Sequence, residues 1–303
     1  MNSELLNNRL LALYFFPFIL GTLTTLSFNP YNIIILNFII FPLFFYLIFH
    51  VNKKSKSVYR KKPYKKNLFI LGLSFGFGFY LSGTSWIVNS LTFDENFKIF
   101  IPFALILIPL FLSLFMGFTI LLVGPYVKLT LPSLIIFSAS LGFSDYLRSI
   151  IFTGFPWNLW AYSTTWFNEI LQILNQIGLY SYNLIVITFF TLPLIIIFRI
   201  SLISKILCLT LPILIILSLY IYGNYEINKN QKFLSEINKK IYVKVISPNF
   251  ELKYGLTEKE IEKRLKNLIR YSDPSENQET LFVWPEGVFS GYSYNEILIF
   301  KDL

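Results

Sequence analysis

Long apolar runs fill the first 222 positions, broken only by short polar or Pro/Gly-containing turns. Seven of them, near 9–27, 31–50, 67–91, 99–124, 129–151, 170–198 and 202–222, reach the roughly 20 residues needed to cross a bilayer. Each should be a helix, because hydrocarbon offers backbone polar groups no partner outside the segment. After residue 222 the pattern changes. Residues 241–247 (Ile-Tyr-Val-Lys-Val-Ile-Ser) alternate as a strand does. Thr257 precedes Glu260 at capping-box spacing, and Ile261, Leu265, Leu268 and Ile269 give the helix behind that cap an apolar stripe. Thr280-Leu281-Phe282-Val283-Trp284 is a second β-prone run, closed by Pro285, which cannot donate to a ladder. A strand–helix–strand order predicts a parallel pair. The chain therefore reads as a seven-helix transmembrane domain at 1–222 followed by the opening of an α/β domain at 223–303. One helix covers one face of a parallel sheet that needs both covered, so this tail is not expected to be stable alone.

Composition agrees with a membrane protein: 54% of the 303 residues are hydrophobic and 14% charged, with 33 Phe and 19 Tyr. The single cysteine, Cys208, rules out a disulfide framework, and the single histidine, His50, comes with no clustered ligand set, so no metal site is expected. No cofactor is expected. The apolar run at the N-terminus lacks a small-residue cleavage motif behind it and reads as a first span. The net charge of +9 does not point to nucleic acid, because residues 223–303 carry 12 basic and 12 acidic residues and leave the whole excess in the membrane part. Lys53, Lys54, Lys56, Arg60, Lys61, Lys62, Lys65 and Lys66 crowd the loop expected at 51–66. Such a loop suits the cytoplasmic face and anionic headgroups. That puts the N-terminus, Lys128 and the 199–205 loop inside, and the turns at 29–30, 92–97 and 153–163 outside with the tail.

Four features carry candidate chemistry. Gly72, Gly76, Gly78, Ser82 and Gly83 in the third span are spaced to admit a neighbouring helix closely. Asp145 and Arg148, three apart near the end of the fifth span, can pair on one face, as a functional site or as a neutralised pair steadying the helix end. Between spans five and six lies Gly154-Phe155-Pro156-Trp157-Asn158-Leu159-Trp160-Ala161-Tyr162-Ser163. Its aromatics suit a headgroup-level belt, but the Pro-Trp-Asn core suggests a re-entrant loop that holds a lipid. Finally, Glu286 follows Trp284-Pro285 at a strand's carboxyl edge, where a carboxylate can act as general base if burial among Trp284 and Phe289 raises its pKa.

With these motifs in order, the chain resembles the apolipoprotein N-acyltransferases of bacterial inner membranes. The resemblance takes in residues 21–30, the glycine-rich third span ending in Trp86-Ile87, the Gly-Phe-Pro-Trp loop with Tyr162-Ser163, and Gly178-Leu179-Tyr180-Ser181. It continues through Pro248-Asn249 with Lys253-Tyr254 to the Trp284-Pro285-Glu286 strand end. Ala161, Ser247 and Tyr254 stand where the family commonly has Gly, Gln and Trp. The resemblance implies an αββα nitrilase-like domain beginning in the tail. It also implies transfer of an acyl chain from a phospholipid, through a cysteine thioester, to the α-amine of a diacylglyceryl-cysteine in apolipoproteins. Glu286 matches the general base; Phe155, Pro156, Trp157, Asn158, Tyr162, Tyr254 and Trp284 are the implied lipid- or substrate-binding positions. The family's oxyanion Lys, its nucleophilic Cys and a last span match positions beyond Leu303. Residues 1–303 alone are therefore expected to be inactive, as a fragment or one part of a split gene. The alternatives are a non-catalytic membrane protein that binds lipid or a partner, and a membrane-tethered nitrilase-type amidase.

Overall fold

The structure is a computed structural model that describes residues 8–58, 63–237, 241–251, 255–275, 279–289 and 291–300. It divides into two compact units, Met1–Leu91 with Lys98–Asn230, and Thr92–Phe97 with Gln231–Leu303. The first unit is helical. A π-helical turn, Leu11–Phe15, leads into α1 (Phe16–Thr24). It is followed by α2 (Asn37–Val58), α3 (Pro63–Thr84), α4 (Ile101–Val123), α5 (Leu131–Ile150), α6 (Leu179–Thr191) and α7 (Leu202–Glu236).

Among the described residues, five helices are long and apolar enough to cross a membrane: Ile34–Lys53, Lys65–Thr92, Glu95–Tyr126, Leu179–Ile197 and Leu202–Glu236. The chain is thus a multi-pass membrane protein. Leu11–Ser27 is apolar but shorter. α5 is not one of the five, because its serines, Asp145 and Arg148 lower its hydropathy: its buried face mixes Ser133, Ser138, Ser144, Asp145 and Arg148 with Leu134, Phe137 and Leu141, while Ile135, Ile136, Phe143 and Ile150 are exposed. That is the arrangement expected when the surrounding medium is apolar and polar groups pair inside the bundle.

Three expected boundaries shift. Much of the basic segment at 51–66 is helix, since α2 runs to Val58 and α3 begins at Pro63; Arg60, Lys61 and Lys62 lie outside the described residues. The sixth span begins at Leu179 rather than 170, because Gly178 at φ +75° breaks the helix behind two single turns, Asn168–Leu171 and Leu174–Ile177. The seventh continues to Glu236, past the change of composition at 222.

The bundle is held by close backbone approach and aromatic packing rather than by water-driven burial, since lipid is as apolar as the core. On α3, a Cβ at Gly78 would sit 2.1 Å from the carbonyl of Phe18 on α1, and one at Gly72 would sit 2.7 Å from that of Met116 on α4. The expected role of the third span's small residues follows directly. Behind them Phe44 stacks on Phe75 with centroids 3.9 Å apart, and Phe45 meets Phe137 edge-on at 5.2 Å.

The second unit contains β1 (Tyr242–Val245), α8 (Glu258–Ser272), β2 (Thr280–Val283) and α9 (Tyr294–Ile297). The strands are parallel, with Tyr242 opposite Thr280 and Val245 opposite Val283. Thr257 and Glu260 form the capping box that starts α8, and Ile261, Leu265 and Leu268 are its buried stripe. The strands themselves are poorly covered: every β1 residue is exposed, as are Leu281 and Val283.

Candidate functional site

The loop after α5 is positioned by residues that lie far apart in sequence. Beyond Ile150 the chain reverses through Phe152 (φ +59°) and Gly154 (φ +77°). A Cβ at Gly154 would lie 2.2 Å from the carbonyl oxygen of Ser149, so only glycine fits there. The Phe155 amide then donates to the carbonyl of Arg148 (2.9 Å). In return, Arg148 Nη1 donates to the carbonyls of Phe155 (2.5 Å) and Trp157 (2.7 Å). Its Nη2 donates to Asp145 Oδ1 (3.1 Å), and its guanidinium lies 5.3 Å from the Tyr80 ring centroid.

Asp145 is shared. Its Oδ2 accepts from Asn183 Nδ2 on α6 (2.8 Å), while Asn183 Oδ1 accepts from the Ala161 amide (2.9 Å). Arg148, Asp145 and Asn183 thus clamp both ends of the 155–161 turn through one buried network. Arg148 is 1% exposed, so its charge is tolerable only because Asp145 and the loop carbonyls compensate it.

Of the expected lipid-binding positions, Phe155 is half-buried, Pro156 is exposed and Trp157 is 52% exposed. The Trp157 ring meets Trp86 edge-on at 5.4 Å. Asn158, half-buried at φ +55°, fits against α3 because Gly83 has no side chain: a Cβ there would lie 2.0 Å from Asn158 Nδ2. Tyr162 is half-buried, and burial, with Tyr180 nearby, holds its phenol above the usual range.

Trp160 departs from the aromatic-belt reading. It is buried, stacked on Phe79 at 4.4 Å and edge-on to Phe41 at 4.8 Å, as the core on which the loop folds. Sequence reasoning missed Trp160 and Asn183. The i,i+3 spacing of Asp145 and Arg148 was the only signal of the network.

The tail residues belong to the second unit. Trp284 Nε1 donates to Ser272 Oγ (3.0 Å), and its ring meets Phe289 at 6.4 Å. Arg264, also missed, spans from α8 to the carbonyls of Glu251 (2.6 Å) and Val288 (3.0 Å), joining the loops that follow β1 and β2. Glu286 stands just beyond β2, before Gly287 at φ +74°, and is exposed rather than buried between Trp284 and Phe289. Its expected apolar enclosure is absent among the described residues: the Trp284 indole turns to Ser272 on α8 and its ring to Phe289. Tyr254 and Lys253 lie outside the described residues. Cys208 is half-buried in α7.

Fold and site together define a multi-pass helical membrane protein with an aromatic loop clamped by buried charges. Residues 20–192 match the family described as "Apolipoprotein N-acyltransferase N-terminal domain". The chain is similar to the apolipoprotein N-acyltransferase of Brucella melitensis, at 30% identity over 179 residues covering 58% of this chain and 33% of the relative. It is also similar to those of Sinorhizobium medicae, at 27% over 59% of this chain and 34% of the relative, and of Rhodopseudomonas palustris, at 32% over 57% and 31%. This chain belongs to the apolipoprotein N-acyltransferase family. The matched stretch spans about a third of those relatives' length.

Proposed function

We propose that this protein serves in lipoprotein maturation, transferring an acyl chain from a phospholipid to the N-terminal amine of diacylglyceryl-cysteine in apolipoproteins. The observation that carries the reading is the family match across residues 20–192, which contains the whole Arg148-clamped loop. Residues 1–222 would form the membrane platform and 223–303 the opening of a nitrilase-like domain, to which the parallel β1–α8–β2 unit is suited. The basic segment around 51–66 would face the cytoplasm of the bacterial inner membrane and the tail the periplasm.

In this scheme a cysteine thiolate attacks the phospholipid ester, a lysophospholipid leaves, and the lipoprotein amine takes the acyl group from the thioester. Glu286 is the proposed base. Trp157, Phe155, Pro156, Asn158 and Tyr162, with Trp284 and Tyr254, are the proposed lipid- and substrate-binding positions. The clamp supports this by fixing an aromatic, amphipathic surface of the kind that holds an acyl ester at headgroup level. The cysteine and the oxyanion lysine of this scheme match no residue among 1–303. A second reading, a non-catalytic lipid- or partner-binding membrane protein, is favoured by the exposure of Glu286.

Deleting the gene in its native host and analysing lipoprotein N-termini by mass spectrometry separates the two. Acyl transfer predicts diacylated lipoproteins in the deletion strain and in a Glu286→Gln strain. Fully N-acylated lipoproteins in the deletion strain would sink the proposal; loss in the deletion but not in Glu286→Gln would remove Glu286 as base.

A further inference from the structure

The two loops at the carboxyl edge of the tail's strand pair are fastened to each other, and Glu286 lies inside one of them. Its segment is held at both ends. On the strand side the Val283 carbonyl accepts from the Ile246 amide (3.0 Å), and the Trp284 indole donates to Ser272 Oγ (3.0 Å). On the far side the Val288 carbonyl accepts from Arg264 Nη1 (3.0 Å). Between these points the chain turns at Gly287 (φ +74°). Glu286 is thus the middle of an arc with two fixed feet, although its own side chain is exposed.

Arg264 is suited to set the far foot. A helix that follows a strand begins at the sheet's carboxyl edge, so a long side chain from its second turn reaches the loops there. Arg264 stands three residues beyond Ile261, at the border of the buried stripe of α8, and is half-buried. Its Nη2 donates to the Glu251 carbonyl (2.6 Å) in the loop after β1. A planar guanidinium fixes the spacing of two acceptors, which a single ammonium cannot do. Tyr292 adds a second tie, its hydroxyl donating to the Leu256 carbonyl (3.0 Å). The strand register ends with Val245 opposite Val283, so these ties order the loops and not the strands.

We propose that Arg264 is a positioning residue for Glu286, fixing the arc that carries this carboxylate against the loop after β1 so that it can take a proton during acyl transfer. Arg264 touches backbone only and takes no part in the chemistry itself. The role rests on the acyl-transfer reading and on Glu286 as its base.

The test follows lipoprotein N-acylation against pH in native-host membranes carrying the unaltered gene, its deletion, Glu286→Gln or Arg264→Lys, each normalised to the amount of protein in the membrane. With a base in place the rate should level off below the range in which a free thiol ionises, about pH 8.5. Without one it should keep climbing through that range. Arg264→Lys is expected to lower the neutral-pH rate about a hundredfold, the cost of misplacing a group by about 1 Å, and to climb with pH as Glu286→Gln does. A residue that only braced the fold would lower the rate and leave the levelling-off in place, and that result in Arg264→Lys overturns the proposal alone. Levelling-off in Glu286→Gln would remove the base and this role with it. N-acylation persisting in the deletion would remove acyl transfer itself. Should Arg264→Lys fail to accumulate, Tyr292→Phe, which loses only the hydroxyl of the second tie, carries the same comparison: an unchanged profile there overturns the proposal.

Discussion

Two arginines do similar work in different surroundings. Arg148 holds the carbonyls of Phe155 and Trp157 inside the helical unit, and Arg264 holds those of Glu251 and Val288 in the tail. Arg148 is fully buried and joined to Asp145 and, through it, to Asn183; Arg264 is half-buried, 5.1 Å from the Phe250 ring centroid. The difference teaches how each unit finds its stability. In the bundle the polar groups turn inward and must satisfy one another, because lipid covers the apolar outside. In the tail, water satisfies polar groups readily, but the exposed strand side chains require protein to cover them.

Breaking the first grip should have the largest effect. Arg148→Ala leaves the Asp145 charge buried with only Asn183 beside it and releases two loop carbonyls. A loss of about 3–5 kcal/mol is expected, seen as a large fall in melting temperature and rapid proteolysis within the 151–163 loop. A variant that melts with the unaltered chain would show that the clamp is dispensable.

Arg264→Ala sharpens the contrast. Its two carbonyl partners lie near water and can rehydrate, so about 1.5–3 kcal/mol is expected, confined to the tail. Hydrogen exchange should rise in the loops after β1 and β2 and stay unchanged in the 155–161 turn. Matching losses in both units would contradict the division into separately stabilised parts.

These cases also mark what was legible in the sequence. Hydropathy located five of the seven expected spans, because length and apolarity are local; the segments near 9–27 and 129–151 are helical but shorter or more polar. The third span's glycines, the Thr257–Glu260 box and the parallel strand pair were legible for the same reason: spacing specifies each of them. The clamp was not. Asp145 and Arg148 stand a turn apart, but Asn183 is 38 residues from Asp145, and nothing in a linear pattern says which carbonyls a guanidinium will reach. Trp160 resembled its neighbours Trp157 and Tyr162 in composition, yet Phe41 and Phe79, distant in sequence, draw it inside. Glu286 shows the reverse error: adjacent aromatics suggested enclosure, while in the fold Trp284 turns to Ser272.

A smaller effect is expected at the start of α8. Thr257 Oγ1 accepts from the Glu260 amide while Glu260 Oε2 accepts from the Thr257 amide (2.9 Å). Thr257→Ala should cost the tail about 1 kcal/mol, measured as faster amide exchange in the first turn of α8. A protection pattern like that of the unaltered chain would mean Ile261 and Leu265, rather than the cap, hold the helix start.

The smallest effect is the one that best probes the tail's sheet. Val245 is 72% exposed and pairs with Val283, so Val245→Lys removes almost no buried contact. A stability change within about 0.5 kcal/mol is expected. Association should fall, because a charge on an exposed strand discourages edge-to-edge pairing. Size-exclusion chromatography in detergent, run beside hydrogen exchange of β1 and β2, reads both. If Val245→Lys instead unfolds the pair, the face of β1 that is open here is covered by protein in solution. The covering surface would then be as necessary to the strand that presents Glu286 as the Arg148 clamp is to the loop that presents Trp157.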